Sequence, residues 1–279
     1  MNDISIHLQK CILCGACVDT CPASIYSSDE YEIKIHNEVL CIACGHCVSV
    51  CPVNAITHTD LDPDEFLPAL ESPNFPSENL YYFLRYRRSC RAYDSKEIPK
   101  QILERLVDIG RFSPTGHNRQ NVEFIILQDK AKIKILSGMT ATRCGNLVKL
   151  SESSKGPLTP AEKQMMDSFR IVYESHLQGK DRIFYEAPDV ILTYAHSKVP
   201  SSIDNCLYSL FHIVMMAQTL GLGTCINKLF VGASEQVPEI RKILDLPVEY
   251  QIFGCVTIGY PKHPFHKLPY RKAAKIKWI

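Results

Sequence analysis

From Asn79 onward, apolar and polar positions follow helical and strand periods in turn, and these periods predict most of the elements. Residues 79–88 and 99–112 carry apolar side chains at helical spacing, the second run with Pro99 suited to a first turn. The run 122–128, "VEFIILQ", predicts a buried strand, and 188–195, "PDVILTYA", predicts a second. Thr159-Pro160-Ala161-Glu162 has the form of a capping box with proline at the first helical position and predicts a helix to about Leu177. A long apolar helix is expected from about Ile203 to Leu220, and strands near 224–230 and over 250–260. Sheet and helices interleave without a regular βαβ repeat, so the predicted fold class is α+β.

Before that region the period is lost. "LDPDEFLPALESPNFPSENL", Leu61 to Leu80, contains four prolines and follows neither period, which marks a linker. Fully extended, it reaches roughly 66 Å. The expected organisation is a small module over residues 1–60, a linker over 61–79 and a larger domain over 80–279. A chain of 279 residues has enough length for one or two cores of this kind.

Charge refines this division. The whole chain is close to neutral, net +1, which directs it to neither nucleic acid nor an anionic membrane. Residues 1–60 hold two basic and seven acidic side chains, net −5; the remaining 29 basic and 23 acidic ones give +6. An acidic module joined to a basic domain suits docking of one on the other or on a partner. The apolar run around Ile213 to Leu222 is interrupted by Gln218 and Thr219 and is too short to span a bilayer. No apolar leader precedes Cys11, and the expectation is a cytoplasmic protein with reduced thiols.

The module's chemistry lies in a motif written twice. "CILCGACVDTCP" places Cys11, Cys14, Cys17 and Cys21 before Pro22; "CIACGHCVSVCP" places Cys41, Cys44, Cys47 and Cys51 before Pro52. Soft thiolates this closely spaced wrap a compact cluster. Zinc sites use four ligands on paired arms and would leave the third cysteine of each run unexplained; a disulfide scaffold belongs to secreted chains. His46 lies inside the second loop, where all four ligand positions are already cysteine, and reads as a neighbour. This part resembles a two-cluster bacterial ferredoxin. The resemblance implies two [4Fe–4S] clusters with exchanged fourth ligands: Cys11, Cys14, Cys17 and Cys51 for one, Cys41, Cys44, Cys47 and Cys21 for the other. Such clusters move single electrons, so the larger domain should receive or supply them.

"YRRSCRAYD", Tyr86 to Asp94, gathers Arg87, Arg88, Ser89 and Arg91, whose guanidinium forks and hydroxyl match phosphate oxygens; the plain alternative is a solvated helix end. "SPTGHNRQN", 113–121, is a polar loop between helix and strand, and "GYPKHPFHKLPYRK", 259–272, brings Arg271 and Lys272 after the last strand. Neither a G-x-G-x-x-G fingerprint nor a Walker loop is present, and "GLGTC", 221–225, follows a helix, the wrong context for a dinucleotide turn. R-R-S-x-R, then S-P-x-x-x-N-x-Q, then G-L-G-T-C, then G-Y-P with a late arginine, in that order, resembles the nitroreductase family over residues 80–279.

That resemblance implies an α+β domain, a homodimer and FMN at the subunit interface. Arg87, Ser89 and Arg91 would hold the phosphate and ribityl chain, Arg88 would offer its backbone, and Arg271 would be a second phosphate arm. Pro114, Thr115, Gly116 and Asn118 would line the flavin from the opposite subunit. Ile226–Leu229 would pass the flavin edge, with Lys228 either touching it or facing solvent. Asn121-Val122 stands where family members often carry Pro-Trp.

The five other cysteines, Cys90, Cys144, Cys206, Cys225 and Cys255, read as small apolar core residues. Cys90, among arginines, could instead have a lowered pKa and react. His117 is a candidate proton donor, and Tyr81, Tyr82 and Phe83 are expected to pack. No catalytic residue is assigned. The expected function is an iron–sulfur flavoprotein oxidoreductase fed by an external low-potential donor and reducing a small organic acceptor such as a nitroaromatic or quinone. Its alternatives are a dehydrogenase exporting electrons through the clusters and a non-catalytic redox sensor or electron store.

Overall fold

The structure, a computed structural model, describes residues 4–69, 75–153 and 156–279. It divides into two units: Met1–Phe75 with Gly116–Arg119, and Pro76–Thr115 with Gln120–Ile279. Residues 70–74 of the expected linker lie outside the described residues.

The first unit repeats itself. Strand β1 (Ile4–Ile6), helix α1 (Ala16–Thr20) and strand β2 (Tyr26–Ser28) are followed by β3 (Ile33–Ile35), α2 (His46–Val50) and β4 (Ile56–His58). β1 pairs antiparallel with β4, and β2 with β3. The loops match thirty residues apart in backbone angle: φ is 54° and 47° at Leu13 and Ala43, 74° at both Gly15 and Gly45, and 50° and 49° at Ser24 and Asn54. Ile4, Ile25, Ile33 and Ile56 form its small core with Tyr26, Cys17 and Cys47. So few apolar groups hold a unit of this size weakly, and bound metal would have to supply much of its stability. The first part of the expected linker packs on this unit: Phe66 and Leu61 lie against Gly45, and Asp62 caps a short turn at Pro63–Glu65.

The second unit contains α3 (Ser77–Tyr86), α4 (Lys100–Arg111), β5 (Glu123–Leu127), α5 (Lys130–Ser153), α6 (Pro160–Leu177), β6 (Asp189–His196), α7 (Ser202–Thr219), β7 (Gly223–Ile226), α8 (Lys228–Gln236), α9 (Pro238–Ile243) and β8 (Tyr250–Gly259). Its sheet has the order β5-β6-β8-β7, every pair antiparallel. Both faces are covered, which explains the unbroken apolar run of β6: Val190 and Leu192 join the core that includes Phe184, Phe230 and Ile240, while Ile191 joins Leu103, Leu106, Leu210 and Ile213 on the other side. The capping box of α6 forms as expected, Thr159 Oγ1 accepting from Glu162 N and Glu162 Oε2 accepting from Thr159 N at 2.8 Å.

Three expectations change. The strand placed near 224–230 stops at Ile226, because Asn227 caps α8 instead: its Oδ1 accepts from Phe230 N at 3.0 Å and its Nδ2 donates to Ile183 O at 2.5 Å. Helix α5 was not anticipated, its sequence mixing glycine and threonine, which favour helix weakly. Tertiary packing overrides that preference: a Cβ at Gly145 would meet the Tyr173 ring of α6 at 2.6 Å, so glycine is what lets the two helices approach. Finally, α3 has no buried residue, and Tyr81 and Tyr82 are exposed rather than packed.

Asp189, at the start of β6, is buried and one of its carboxylate oxygens has no hydrogen-bond partner. Burial raises its pKa to about 6, opposed by hydrogen bonds from Gln128 and the Ile98 backbone. The folded chain therefore binds this proton more tightly than the unfolded chain, and stability falls as pH rises from about 4 towards 6 and stays reduced above. Asp189→Asn, which keeps an acceptor for Ile98 N, should be more stable than the parent, by a margin growing about 1 kcal/mol between pH 5 and pH 8. Denaturation at the two pH values checks this; an equal margin at both would refute it.

Candidate functional site

Each cysteine run builds one wall of a cradle and lends one thiol to the other. Cys11, Cys14, Cys17 and Cys51 line one cavity; Cys21, Cys41, Cys44 and Cys47 line the second. The crossing follows from the repeat: each run's fourth cysteine ends a five-residue helix, and the two helices pack side by side. Backbone amides face the sulfurs, Ala43 N donating to Cys41 Sγ at 3.4 Å and Ala55 N to Cys51 Sγ at 3.1 Å. His58 Nε2 lies 3.5 Å from Cys41 Sγ. Burial raises the Cys17 and Cys47 thiols, so a cationic core is what would hold them as thiolates. Four soft ligands lining one cavity, with amides turned towards sulfur, fit a cubane cluster. Among the described residues no three His, Cys, Asp or Glu side chains meet closely enough for a single metal ion.

The second unit holds a cluster of positive charge. Helix α3 ends at Tyr86, and the chain runs on extended along the edge of β7: Ser89 bridges Thr224, and Cys90 N donates to Thr224 O at 2.8 Å. Gly223 is what permits this, since a Cβ there would fall 2.7 Å from that of Cys90. Tyr93 locks the segment, its hydroxyl 2.7 Å from Thr257 Oγ1 and donating to Cys90 O. The Arg88 side chain folds back, Nη1 donating to the carbonyls of Arg85 and Arg87, while its buried Nε–H has no acceptor. Burial, then the charges of Arg271, Arg87 and Arg85, lower its pKa. Four guanidiniums in mutual repulsion around an unsatisfied donor form a site that wants a polyanion.

The sequence-expected residues are placed unevenly. Arg87, Arg88 and Arg271 come together, and Ser89 follows them at the bridge to Thr224. Arg91 lies over the Tyr185 ring, 5.8 Å from its centre. Tyr185 and Glu186 sit in left-handed backbone, in a loop pinned by Asp181, whose carboxylate accepts from Ile183 N, Phe184 N, Glu186 N and Ser137 Oγ. That loop left no signal in the sequence, where "DRIFYEAP" mixes apolar and polar residues in neither a helical nor a strand period. Lys228 is exposed at the first position of α8. In the 113–121 loop, Pro114 is exposed and Thr115 Oγ1 accepts from Gln120 N. Gly116 and Asn118 belong to the segment grouped with the first unit, and the Asn118 amide donates to Ile42 O and Ala43 O at 3.2 and 2.9 Å. His117 is exposed, at φ 56°. Cys90 is buried and its pKa raised, chiefly by burial, so the suggestion that neighbouring arginines activate it fails; Cys144, Cys206, Cys225 and Cys255 are buried too.

A nitroreductase family match covers residues 84–260, almost two-thirds of the chain, and includes every element of the arginine site except Arg271. The chain belongs to the nitroreductase family. A second match, to a 4Fe-4S dicluster domain, covers residues 3–62. Among curated relatives, an iodotyrosine deiodinase from Thermotoga neapolitana is 22% identical over 191 residues, 68% of this chain and 92% of that one. A Cr(VI) reductase from Pseudomonas sp. is 28% identical over 64% of this chain and 65% of its own. A nitroreductase structure from Bacteroides fragilis, with bound FMN, superposes with a TM-score of 0.58 at 22% identity, covering 72% of this chain and 98% of that one, a likeness of fold. The cofactors that follow from the two families are two [4Fe–4S] clusters and FMN. The nitroreductase-family domain of this chain fits FMN on its own geometry, since its phosphate would supply the acceptor that Arg88 Nε–H lacks and offset the repulsion of four arginines. No helix among the described residues is long and apolar enough to cross a membrane.

Proposed function

We propose that this protein is an iron–sulfur flavoprotein oxidoreductase in which two [4Fe–4S] clusters deliver electrons to FMN for reduction of a small conjugated acceptor, a nitroaromatic, a quinone or a similar compound. The observation that carries the reading is the pairing, in one chain, of two four-cysteine cradles with an arginine cluster around an unsatisfied Arg88. When bound, the clusters supply electrons singly and FMN delivers them in pairs.

The protein's own residues bind and orient. Arg87, Arg88 and Arg271 hold the phosphate, Ser89 and Arg91 the ribityl chain, and Lys228 lies at the flavin edge. Cys11, Cys14, Cys17 and Cys51 hold one cluster, and Cys21, Cys41, Cys44 and Cys47 the other. The chain works as a homodimer, with Pro114, Thr115, Gly116 and Asn118 of one subunit lining the flavin of its partner. Exposed apolar side chains on α3, Leu80, Tyr81, Tyr82 and Leu84, support a second copy as their cover. An external low-potential donor loads the clusters, and the abundance of free cysteine supports a cytoplasmic site.

Anaerobic protein given less than one equivalent of low-potential electrons tests the reading. Flavin absorbance should bleach while the clusters return to their oxidised spectrum. Clusters that stay reduced beside an oxidised flavin would sink it, and export of electrons through the clusters would then be the better account.

A further inference from the structure

The two cradles differ in what surrounds the sulfur. Around Cys11, Cys14, Cys17 and Cys51 the remaining wall is aliphatic, with Ile6, Ile33, Val53 and Ile56 among its members. Around Cys21, Cys41, Cys44 and Cys47 the wall includes Tyr26, His46 and His58. The thirty-residue repeat makes the contrast pointed. Tyr26 occupies the place that Ile56 has in the other copy, His46 the place of Ala16, and His58 that of Ser28.

Two of these side chains bring hydrogen-bond donors to ligand sulfurs. His58 is buried, and its Nδ1 accepts from Asp60 N at 3.2 Å. That acceptor role assigns the ring proton to Nε2, which therefore donates towards Cys41 Sγ, 3.5 Å away. Tyr26 is buried beside Cys47, and its hydroxyl has no hydrogen-bond partner of good geometry. Buried hydroxyls are satisfied in nearly all folded proteins, so this one points to an acceptor such as a cluster-bound thiolate. Donors aimed at ligand sulfur stabilise the more negative, reduced cluster and raise its potential.

We propose that the two clusters are electronically unequal: the cluster held by Cys21, Cys41, Cys44 and Cys47 is the easier to reduce because Tyr26 and His58 donate to its sulfurs, and it is where an electron rests. One electron leaves the reduced cluster in the aliphatic cradle and reduces the oxidised cluster in the other; no bond or proton changes hands. This rests on the presence of both clusters, and not on the direction of flow between clusters and flavin.

The test is a reductive titration of the full-length holoprotein followed by electron paramagnetic resonance, with iron counted first. The parent should show two resolved reduction events, the first electron favouring one cluster by about tenfold or more, the effect of two modest hydrogen bonds. Tyr26→Phe and His58→Leu should each lower the upper event and leave the lower one in place, and together merge them. His58→Gln, which keeps an N–H donor, should restore part of the gap. A single unresolved event in the parent with full iron content would overturn the proposal, as would variants that move both events equally, only the lower one or neither. Iron for one cluster alone would instead defeat the two-cluster reading beneath it.

Discussion

Replacing Arg87 and Arg271 with alanine should strip FMN from the protein and leave its iron unchanged. Each guanidinium offers charge-assisted hydrogen bonds to phosphate, and losing two at this partly exposed site weakens binding by about 3 kcal/mol, or roughly a hundredfold. Flavin retained through gel filtration, set against iron content, measures this. The same arginines repel Arg88 when no anion is present. The flavin-free variant should therefore melt no lower than the flavin-free parent, while added FMN stabilises only the parent. Full flavin occupancy in the double variant would show that the phosphate is held elsewhere.

Cys21→Ser should remove the cluster whose other ligands are Cys41, Cys44 and Cys47, twenty and more residues away, and spare the one beside it in sequence. Serine is a harder and weaker ligand for iron. The expected result is loss of about half the iron, with the surviving signal that of the aliphatic cradle. Because the small core of this unit is stapled by both clusters, its resistance to proteolysis should fall as well. Loss centred on the Cys11, Cys14 and Cys17 cluster would mean that each run serves its own cradle.

Chemistry was more legible in the chain than packing. The doubled cysteine run, the capping box at Thr159 and the apolar run of β6 are local signals with few physical readings, and the structure contains each as expected. Asn227 was misread because β-propensity across "TCINKLF" ignores a side chain that caps a helix through Oδ1 and, being buried, needs Ile183 O to receive its amide. Cys90 is buried as its reading as a core residue expects, and the alternative that its arginine neighbours make it reactive fails because the edge of β7 buries its thiol and burial outweighs the arginines. His46 drew attention because it sits inside a motif; Tyr26 and His58 lie on strands outside the motifs, and only the folding of those strands over the second cradle brings them to the sulfurs.

Covalent spacing by itself determined the class of metal group and the order of the arginine-bearing segments, because residue type and separation along a short loop survive in any fold. Which thiols share a cradle, which arginine is left with an unsatisfied donor, and which cradle is polar were decided by tertiary structure. Those properties depend on burial and on neighbours far apart in the chain, and burial is set by what the fold packs over a residue, not by the residues beside it.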